Sequence, residues 1–316
     1  MDLGSVISKR IAFVFPGQGS QYVGMGKALY EKSAAARKIF QQADEILGFP
    51  LSTLCFHGPA EELGDTINAQ PAILTVSLAY LEALRERWRS HNLSIVPSFV
   101  AGHSLGEFTA LVAAGVLDFA DALHLVRERG RLMKECGDLQ PGGMAAVLGL
   151  DREALEAICE EASEVGTVVL ANDNCPGQSV ISGENAALER AMELARQRGA
   201  RKVVRLDISI ASHSPLMERA AQQLAELVNK IPLREPQVPV VANISGRFMT
   251  TVDEIRKEIA AHVVRPVQWT HSVREMANDG TAAFLEIGPG QVLGGLIRRI
   301  RSDVEVMSPK DFGIAG

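Results

Sequence analysis

The chain has 316 residues and a formal net charge of −6, with 47% hydrophobic and 22% charged residues. This length supports a large hydrophobic core, and we expect one main domain with a smaller one attached to it. The negative net charge and the absence of a basic patch interleaved with aromatic residues argue against nucleic acid as the partner.

The cysteine spacing and the hydropathy of the chain indicate the cellular compartment in which the protein works. The cysteines are far apart and form no CxxC pair, which predicts a reduced protein without a metal site. No apolar run reaches membrane-spanning length, and residues 1–10 lack the apolar core of a signal peptide. We therefore expect a soluble, cytoplasmic, monomeric protein that does not act at a membrane.

The first part of the chain alternates strands and helices joined by short glycine-rich links. We predict strands over residues 11–15 and 98–101, and helices over 28–47, 71–88, 107–114 and 119–136. This alternation predicts an α/β fold with a mostly parallel sheet covered by helices.

The order of elements changes between residues 140 and 209. We predict a strand over 144–150, a helix over 152–163, strands over 167–172 and 178–182, a helix over 185–198 and a strand over 202–208. This order is the split βαβ pattern of a ferredoxin-like unit. We therefore predict a small subdomain, residues 138–210, inserted into an α/β body formed by residues 1–137 and 211–316.

The body continues after the insertion. We predict a helix over 215–228, a strand over 238–244, a helix over 252–261 and a strand over 282–287. The tail after Ser302 has no clear pattern and is predicted to be loosely ordered.

The segment Gly102-His103-Ser104-Leu105-Gly106 lies between a predicted strand and a predicted helix. A sharp strand-to-helix turn requires small residues, and it leaves the serine hydroxyl clear of its neighbours at the end of the sheet. The pattern favours Ser104 as a nucleophile over the alternative, an ordinary glycine-bounded turn.

A serine hydroxyl needs a base within hydrogen-bond reach, and His213 is the best candidate among the seven histidines. It stands directly before a helix predicted to begin at Pro215, where the helix dipole keeps an imidazole neutral. His103 is interpreted as support for the turn. The remaining candidates lie among polar residues or in helical patterns without a role: His57, His91, His124 and His271.

Arg129 stands in the middle of an apolar helix stripe formed by Leu125, Val126, Leu132 and Met133. An arginine on a buried face needs an anionic partner, because an unpaired buried charge is prohibitive. That partner is either an internal Asp or Glu, or a substrate carboxylate held bidentately.

Two glycine-rich loops, residues 17–21 and 288–291, complete neither a G-x-G-x-x-G motif nor a phosphate-binding loop. The first loop follows a strand, so its backbone N–H groups can face the same pocket as Ser104. We predict an oxyanion hole formed by the backbone N–H groups of Gln18 and Leu105.

These residues together resemble the malonyl-CoA:acyl-carrier-protein transacylase family over nearly the whole chain, from about residue 11 to 300. The matching segments are Phe15–Gln21, Gly102–Glu107, Ser212-His213, Pro266–Trp269 and Glu286–Gly290. The resemblance implies a hydrolase-like α/β body with an inserted ferredoxin-like subdomain, in agreement with the predicted order of strands.

The resemblance also assigns roles. It implies that Ser104 carries the acyl group, that His213 is the base and that Arg129 holds the malonyl carboxylate. Gln18 and Leu105 would supply the oxyanion N–H groups. The implied reaction moves a malonyl group from malonyl-CoA to the phosphopantetheine thiol of an acyl carrier protein. It needs no cofactor beyond the coenzyme A thioester and supplies extender units for fatty-acid synthesis.

Three alternatives stay open. A free-standing acyltransferase of a polyketide synthase has the same motifs. A serine esterase or thioesterase has the same serine turn, although no Asp or Glu is identifiable as its third catalytic member. An idle docking subunit is disfavoured by the intact Ser104, His213 and Arg129.

The chain departs from the family pattern at His262, where many members have a glutamine. The family uses the backbone carbonyl of this residue to orient the catalytic histidine, so that role falls on the His262 carbonyl. Ser212 lies near the acyl pocket in the family, and serine there also occurs in enzymes that accept methylmalonyl groups, so the acyl preference stays open.

Acyl carrier proteins are acidic and require a local basic patch for docking. We predict that this patch is one of two candidate sets, unless these residues form an ordinary solvated face. The sets are Arg298, Arg299 and Arg301, and Arg201 and Lys202.

Overall fold

The computed structural model describes residues 9–314, which contain two β-sheets. The strands are β1 (Ile11–Phe15), β2 (Phe99–Gly102), β3 (Gly142–Leu148), β4 (Val168–Cys175), β5 (Gln178–Glu184), β6 (Lys202–Arg205), β7 (Val240–Val241), β8 (Phe248–Met249), β9 (Ala283–Glu286) and β10 (Glu305–Met307). The larger sheet has the order β10-β9-β1-β2-β7-β8. Its neighbouring strands are parallel except for the β7–β8 pair, which confirms the predicted mostly parallel sheet.

The helices cover the two sheets and connect their strands. They are α1 (Lys27–Lys32), α2 (Ala34–Leu47), α3 (Leu51–His57), α4 (Ala60–Gly64), α5 (Thr66–Ser90), α6 (Gly106–Ala113), α7 (Phe119–Leu139), α8 (Arg152–Ala162), α9 (Asn185–Gln197), α10 (Glu218–Val228), α11 (Val252–Ala261), α12 (Trp269–Asn278) and α13 (Leu293–Ile300). Short 3₁₀ helices occupy Ser163–Val165, Pro215–Met217 and Pro309–Phe312. Within the described range, no helix is both long enough and apolar enough to cross a bilayer.

Strand β1 illustrates why the sheet is buried on both faces. All five of its residues are apolar and buried, as is typical of a central strand in a parallel sheet. Ile11, Phe13 and Phe15 pack into the core on one face, and Ala12 and Val14 pack into a second core on the other. Because β1 and β2 are parallel neighbours, their carboxyl ends meet at one edge of the sheet.

The smaller sheet has the order β4-β5-β3-β6 with every neighbouring pair antiparallel, and its strands come from one continuous segment. This is the order of a split βαβ unit, with α8 and α9 packed on one face. Met144, Val180 and Leu206 form part of an apolar cluster on the sheet and line a pocket. The division of the chain at residues 137/138 and 210/211 stays a prediction, and its outer limits at 1 and 316 lie outside the described residues.

Two backbone hydrogen bonds join the smaller sheet to the segment that precedes α12. The Asp173 N–H donates to the Val267 carbonyl and the Val267 N–H donates to the Ala171 carbonyl, both at 2.9 Å. The end of β4 is therefore fixed to the segment that precedes α12.

The helix predictions need three corrections. The helix predicted over 28–47 is two helices that break at Ser33, because the Ser33 hydroxyl accepts a hydrogen bond from Ala36 N–H and caps α2. The helix predicted to start at Pro71 starts at Thr66, where the Asp65 carboxylate accepts from Ile67 N–H. The helix predicted over 215–228 begins as a 3₁₀ turn. Beyond these corrections, α3, α4 and α12 were not predicted.

The strand and tail predictions also need correction. Of the strand predicted over 238–244, only Val240–Val241 is a strand, because the chain then turns Asn243 toward β2. The strand predicted over 202–208 ends at Arg205. The tail predicted to be loosely ordered contains β10, which adds to the edge of the larger sheet, and a buried Phe312 whose ring packs edge-on against Trp88.

Candidate active site

A pocket of about 250 Å³ opens between the two sheets, next to the carboxyl ends of β1 and β2. Ser104, Arg129 and His213 lie in its wall together with Gln18 and Ser212. In residues 9–314, no cluster of three or more His, Cys, Asp or Glu side chains is arranged to hold a metal ion.

The turn around Ser104 is tight enough to exclude side chains at its glycines. Ser104 has a φ of +48°, in the left-handed region that non-glycine residues rarely adopt. A Cβ on Gly102 would lie 1.9 Å from the carbonyl carbon of Gly106, and one on Gly106 would lie 2.1 Å from the carbonyl oxygen of Phe15. These contacts force the backbone to hold the Ser104 side chain out into the pocket.

Asn243 supports this turn and was not among the predicted site residues. Its Oδ1 accepts from the Ser104 N–H at 2.8 Å, and its Nδ2 donates to the Gly102 carbonyl at 2.8 Å and to Glu107 Oε2 at 2.5 Å. The sequence offers only a weak indication of this role, namely that Asn243 is a polar residue shortly after a buried strand.

His213 is placed to act on the Ser104 hydroxyl. Its Nε2 lies 2.8 Å from Ser104 Oγ, and its Nδ1 lies 3.0 Å from the carbonyl oxygens of His262 and Arg265. Because carbonyl oxygens can only accept, Nδ1 carries the proton and Nε2 has the free lone pair. The Ser104 hydroxyl therefore donates to Nε2, which is the arrangement a general base requires.

The protonation state of His213 follows from its surroundings. The side chain is buried, with φ at +59°. Burial, reinforced by the charge of Arg129 and by His103, lowers the pKa of His213 to about 3. The imidazole is consequently neutral at pH 7 and free to accept a proton.

Arg129 lies beside Ser104 without an acidic partner. Its Nη2 donates to Ser104 Oγ at 3.1 Å and its Nη1 donates to Gln70 Oε1 at 2.7 Å. Burial lowers the pKa of Arg129 to about 10, so the guanidinium remains charged at neutral pH. Among residues 9–314, no Asp or Glu oxygen lies within 4.0 Å of it, so the internal ion pair considered from the sequence is not formed.

The loop after β1 packs directly against the serine turn. The His103 N–H donates to the Phe15 carbonyl at 3.0 Å, and a Cβ on Gly17 would lie 2.3 Å from the His103 carbonyl oxygen. Gln18 consequently reaches the pocket wall, where its Oε1 accepts from Thr66 Oγ1 at 3.0 Å. Leu105, directly after Ser104, is buried as the N-cap residue of α6, and the oxyanion role of the Gln18 and Leu105 N–H groups stays a prediction.

The acyl transferase domain model matches residues 12–310 of this chain. The chain belongs to the acyl transferase family. The predicted resemblance to this family is thereby confirmed. This chain is 45% identical to the malonyl CoA-acyl carrier protein transacylase of Bacillus subtilis over 96% of its own length and 94% of that protein. It is 43% identical to the enzyme of the same name from Haemophilus influenzae over 96% of both chains.

Solved structures of acyl transferases have the same fold. The malonyl CoA-acyl carrier protein transacylase of Coxiella burnetii superposes with a TM-score of 0.92 at 38% identity, covering 97% of this chain and 96% of that one. A malonyl-transacylase solved in complex with a type II polyketide synthase acyl-carrier protein has a TM-score of 0.90 at 39% identity, covering 95% of both chains. These matches confirm the predicted α/β fold class.

In this acyl transferase, His103 contacts the small sheet rather than the reacting groups. Its Nε2 lies 2.7 Å from Asn174 Oδ1, and its ring packs edge-on against Trp269. This agrees with its interpretation as a support of the turn. The four other histidines without a predicted role do not line the pocket.

Several of the arginines considered for carrier docking are engaged within the chain. Arg299 donates to Gln178 Oε1 at 2.6 Å and to the Pro176 carbonyl at 2.7 Å, and Arg301 forms an ion pair with Asp303. Arg298 makes only a long hydrogen bond, 3.4 Å, to the Val306 carbonyl. Of these three, Arg298 is therefore the most available to a partner.

Proposed function

We propose that this chain transfers a malonyl group from malonyl-CoA to the phosphopantetheine thiol of an acyl carrier protein. The group travels as a malonyl ester of Ser104. The relatives and the solved neighbours support this proposal through their names, and the geometry of the pocket supports it independently.

The observation that carries the proposal is the buried, charged Arg129 beside the Ser104 hydroxyl, with no Asp or Glu oxygen of residues 9–314 within 4.0 Å of its guanidinium. A carboxylated acyl group on Ser104 would supply the missing anion and accept hydrogen bonds from both guanidinium Nη atoms. An acetyl group would leave the charge unpaired, so the site favours malonyl over acetyl.

In the first half-reaction His213 Nε2 accepts the proton of Ser104, and Oγ bonds to the thioester carbonyl carbon. The negative charge on the carbonyl oxygen is held by the N–H groups of Gln18 and Leu105. One such donor typically contributes about 3 kcal/mol to lowering the barrier. The C–S bond then breaks, and the proton on His213 passes to the leaving sulfur of coenzyme A.

In the second half-reaction the carrier's thiol gives its proton to His213, and its sulfur bonds to the ester carbonyl carbon. The C–O bond to Ser104 breaks, and Oγ recovers the proton from His213. The carbonyls of His262 and Arg265 keep Nδ1 protonated through both halves, so the same nitrogen accepts and donates each time. Thioester, thiol and side chains balance the reaction without a further group.

The experiment that tests this function is intact-mass analysis of the whole chain after mixing with malonyl-CoA. We expect a malonyl adduct that persists without an acceptor and disappears when a holo acyl carrier protein is added, with malonyl appearing on the carrier. Rapid release of coenzyme A without adduct or acceptor would instead indicate a thioesterase. Against a thioesterase, the orienting partners of His213 within residues 9–314 are carbonyl oxygens and no carboxylate.

A second candidate is supply of malonyl groups to a polyketide synthase, because one solved neighbour is complexed with such a carrier. Parallel assays with fatty-acid and polyketide carrier proteins distinguish the two pathways. Higher transfer to the fatty-acid carrier supports our proposal, and the reverse preference supports the alternative.

A further inference from the structure

The side chain of His262 is not used by the reaction described above. Its backbone carbonyl, at the end of α11, lies 3.0 Å from His213 Nδ1, and its ring packs edge-on against the His213 ring with the ring centres 5.7 Å apart. Its imidazole is 1% exposed and lies between Arg129 and Glu107, which is itself 1% exposed. A polar ring buried at this position needs partners. Its Nδ1 is in hydrogen-bond geometry with Arg129, whereas its Nε2 lies beside Glu107 without a hydrogen bond among the described residues.

The two ring nitrogens have different neighbours, and these fix the tautomer. Arg129 Nη2 donates to His262 Nδ1 at 3.4 Å, and a guanidinium cannot accept, so Nδ1 has the lone pair. The proton is then on Nε2, which lies 3.0 Å from Glu107 Oε2. Burial, with the nearby charge of Arg129, holds the pKa of His262 well below its usual range, which keeps the ring in this neutral form.

Glu107 connects this ring to the nucleophile. Its Oε2 accepts from Asn243 Nδ2, and Asn243 Oδ1 accepts from the Ser104 N–H. The Glu107 carboxyl group therefore contacts both Asn243, which supports the serine turn, and His262, which contacts Arg129. Burial, reinforced by the charge of Glu258, raises the pKa of Glu107 well above its usual range, which favours the neutral form of this carboxyl group.

Two side chains accept hydrogen bonds from Arg129, one from each Nη nitrogen. The Gln70 amide oxygen accepts from Nη1 at 2.7 Å, and the His262 ring accepts from Nη2. Phe108 packs beside both groups, with its ring centre 5.6 Å from the guanidinium carbon and 5.5 Å from the His262 ring centre. Loss of either hydrogen bond would let the guanidinium plane rotate away from the acyl group on Ser104.

We propose that the His262 imidazole, backed by Glu107, is a specificity-determining positioning group that aims Arg129 at the acyl carboxylate. This inference rests on the proposed malonyl transfer and adds a residue to its selectivity. It separates two roles at one position, because the His262 carbonyl orients His213 whereas the His262 side chain orients Arg129.

The test compares His262→Met with His262→Gln in the full chain. The two side chains have nearly equal length, but only glutamine offers an acceptor for Arg129 and a donor for Glu107. The measured quantity is the ratio of Ser104 acylation rates with malonyl-CoA and acetyl-CoA, followed by intact mass. We expect His262→Met to lower this ratio at least about tenfold, because a small misplacement of a binding group has a large effect. His262→Gln should restore most of the ratio.

An exposed histidine on the Arg129 helix, His124, provides the matched control as His124→Met, which should leave the ratio unchanged. If His262→Met does not fold, as judged by circular dichroism, Glu107→Met and Glu107→Gln test the same contact from its other end. An unchanged ratio in a folded methionine variant, or a loss that glutamine does not restore, would overturn the inference. Failure of the wild-type chain to form any malonyl adduct would contradict the proposed function itself.

Discussion

The two ends of the pocket are built differently. At the reacting end, Ser104 and His213 both have left-handed backbone angles, and backbone carbonyls orient the histidine. At the selecting end, Arg129 has helical backbone and is oriented by the side chains of Gln70 and His262. The orientation of the reacting histidine depends on backbone carbonyls, and the serine turn adds one side-chain support from Asn243. The orientation of the arginine depends on side chains alone.

The largest effect is expected at the nucleophile. Ser104→Ala should lower acyl transfer by at least about 10⁴-fold with malonyl-CoA and acetyl-CoA alike, because the variant loses the hydroxyl that lies 2.8 Å from the base His213. Intact mass should show no adduct, whereas the exposed-site control Ser90→Ala should form one normally. An adduct on Ser104→Ala would place the nucleophile elsewhere.

A large but selective effect is expected at the other end of the pocket. Arg129→Ala should lower malonyl transfer about a hundredfold or more and acetyl transfer much less, since only the malonyl carboxylate loses its partner. Arg131→Ala, a change on the exposed face of the same helix, is the control. Equal losses of malonyl and acetyl transfer in the half-reaction assay would show that Arg129 does not select the acyl group, which contradicts the distinction between the two ends of the pocket.

Asn243 belongs to the reacting end by this account, although it also contacts Glu107. Asn243→Ala leaves the Ser104 N–H without its acceptor, which should lower acylation by malonyl and acetyl about tenfold each. Parallel rate measurements with the two thioesters decide the assignment. A loss confined to malonyl would place Asn243 with the selecting residues instead.

Carrier docking should respond more weakly than either end of the pocket. Arg298→Glu should lower transfer to the carrier a few-fold at low salt and have little effect at high salt, because rim charges act mainly on association. The acylation of Ser104 by malonyl-CoA serves as the internal control. A transfer rate that is unchanged at low salt would exclude Arg298 from the docking surface.

The smallest effect is expected from pH. Because burial lowers the pKa of His213 to about 3, the base stays neutral as the pH falls through 6.5. The acylation rate should therefore stay level between about pH 8 and pH 5, with no inflection at the usual histidine pKa. An inflection near 6.5 would show that the reacting histidine is solvated.

This pH experiment needs a stability control. His103, His213 and His262 all have pKa values lowered by burial, so the unfolded chain takes up protons that the folded chain does not. The histidines' contribution to the free energy of unfolding should decrease as the pH falls below 6.5, whereas the raised pKa values of Glu107, Glu258 and Glu286 act in the opposite direction. Rates must be measured before unfolding at each pH, with circular dichroism as the check.

Ser104 and His213 were predictable because the residues that shape the backbone on either side of them are local in the sequence. The glycines around Ser104 and the proline after His213 are within two residues of the side chains that they position. Arg129 was predictable from the apolar stripe around it. The supports Gln70 and Asn243 were not, because their contacts with Arg129 and Ser104 bridge 59 and 139 residues of sequence.

The fold shows the same limit. The order of strands and helices was predictable from periodicity and glycine-rich links. The two-residue strands β7 and β8 are too short to give a pattern. The ordered tail depends on partners that are distant in sequence, since β10 pairs with β9 and Phe312 packs on Trp88.

The most direct test of the account is a crystal structure of the malonyl-serine form of the chain. We predict the malonyl carboxylate about 3 Å from Nη1 and Nη2 of Arg129. The ester carbonyl oxygen should lie at a similar distance from the N–H groups of Gln18 and Leu105. A carboxylate that points toward solvent or toward the small sheet, away from Arg129, would contradict the account.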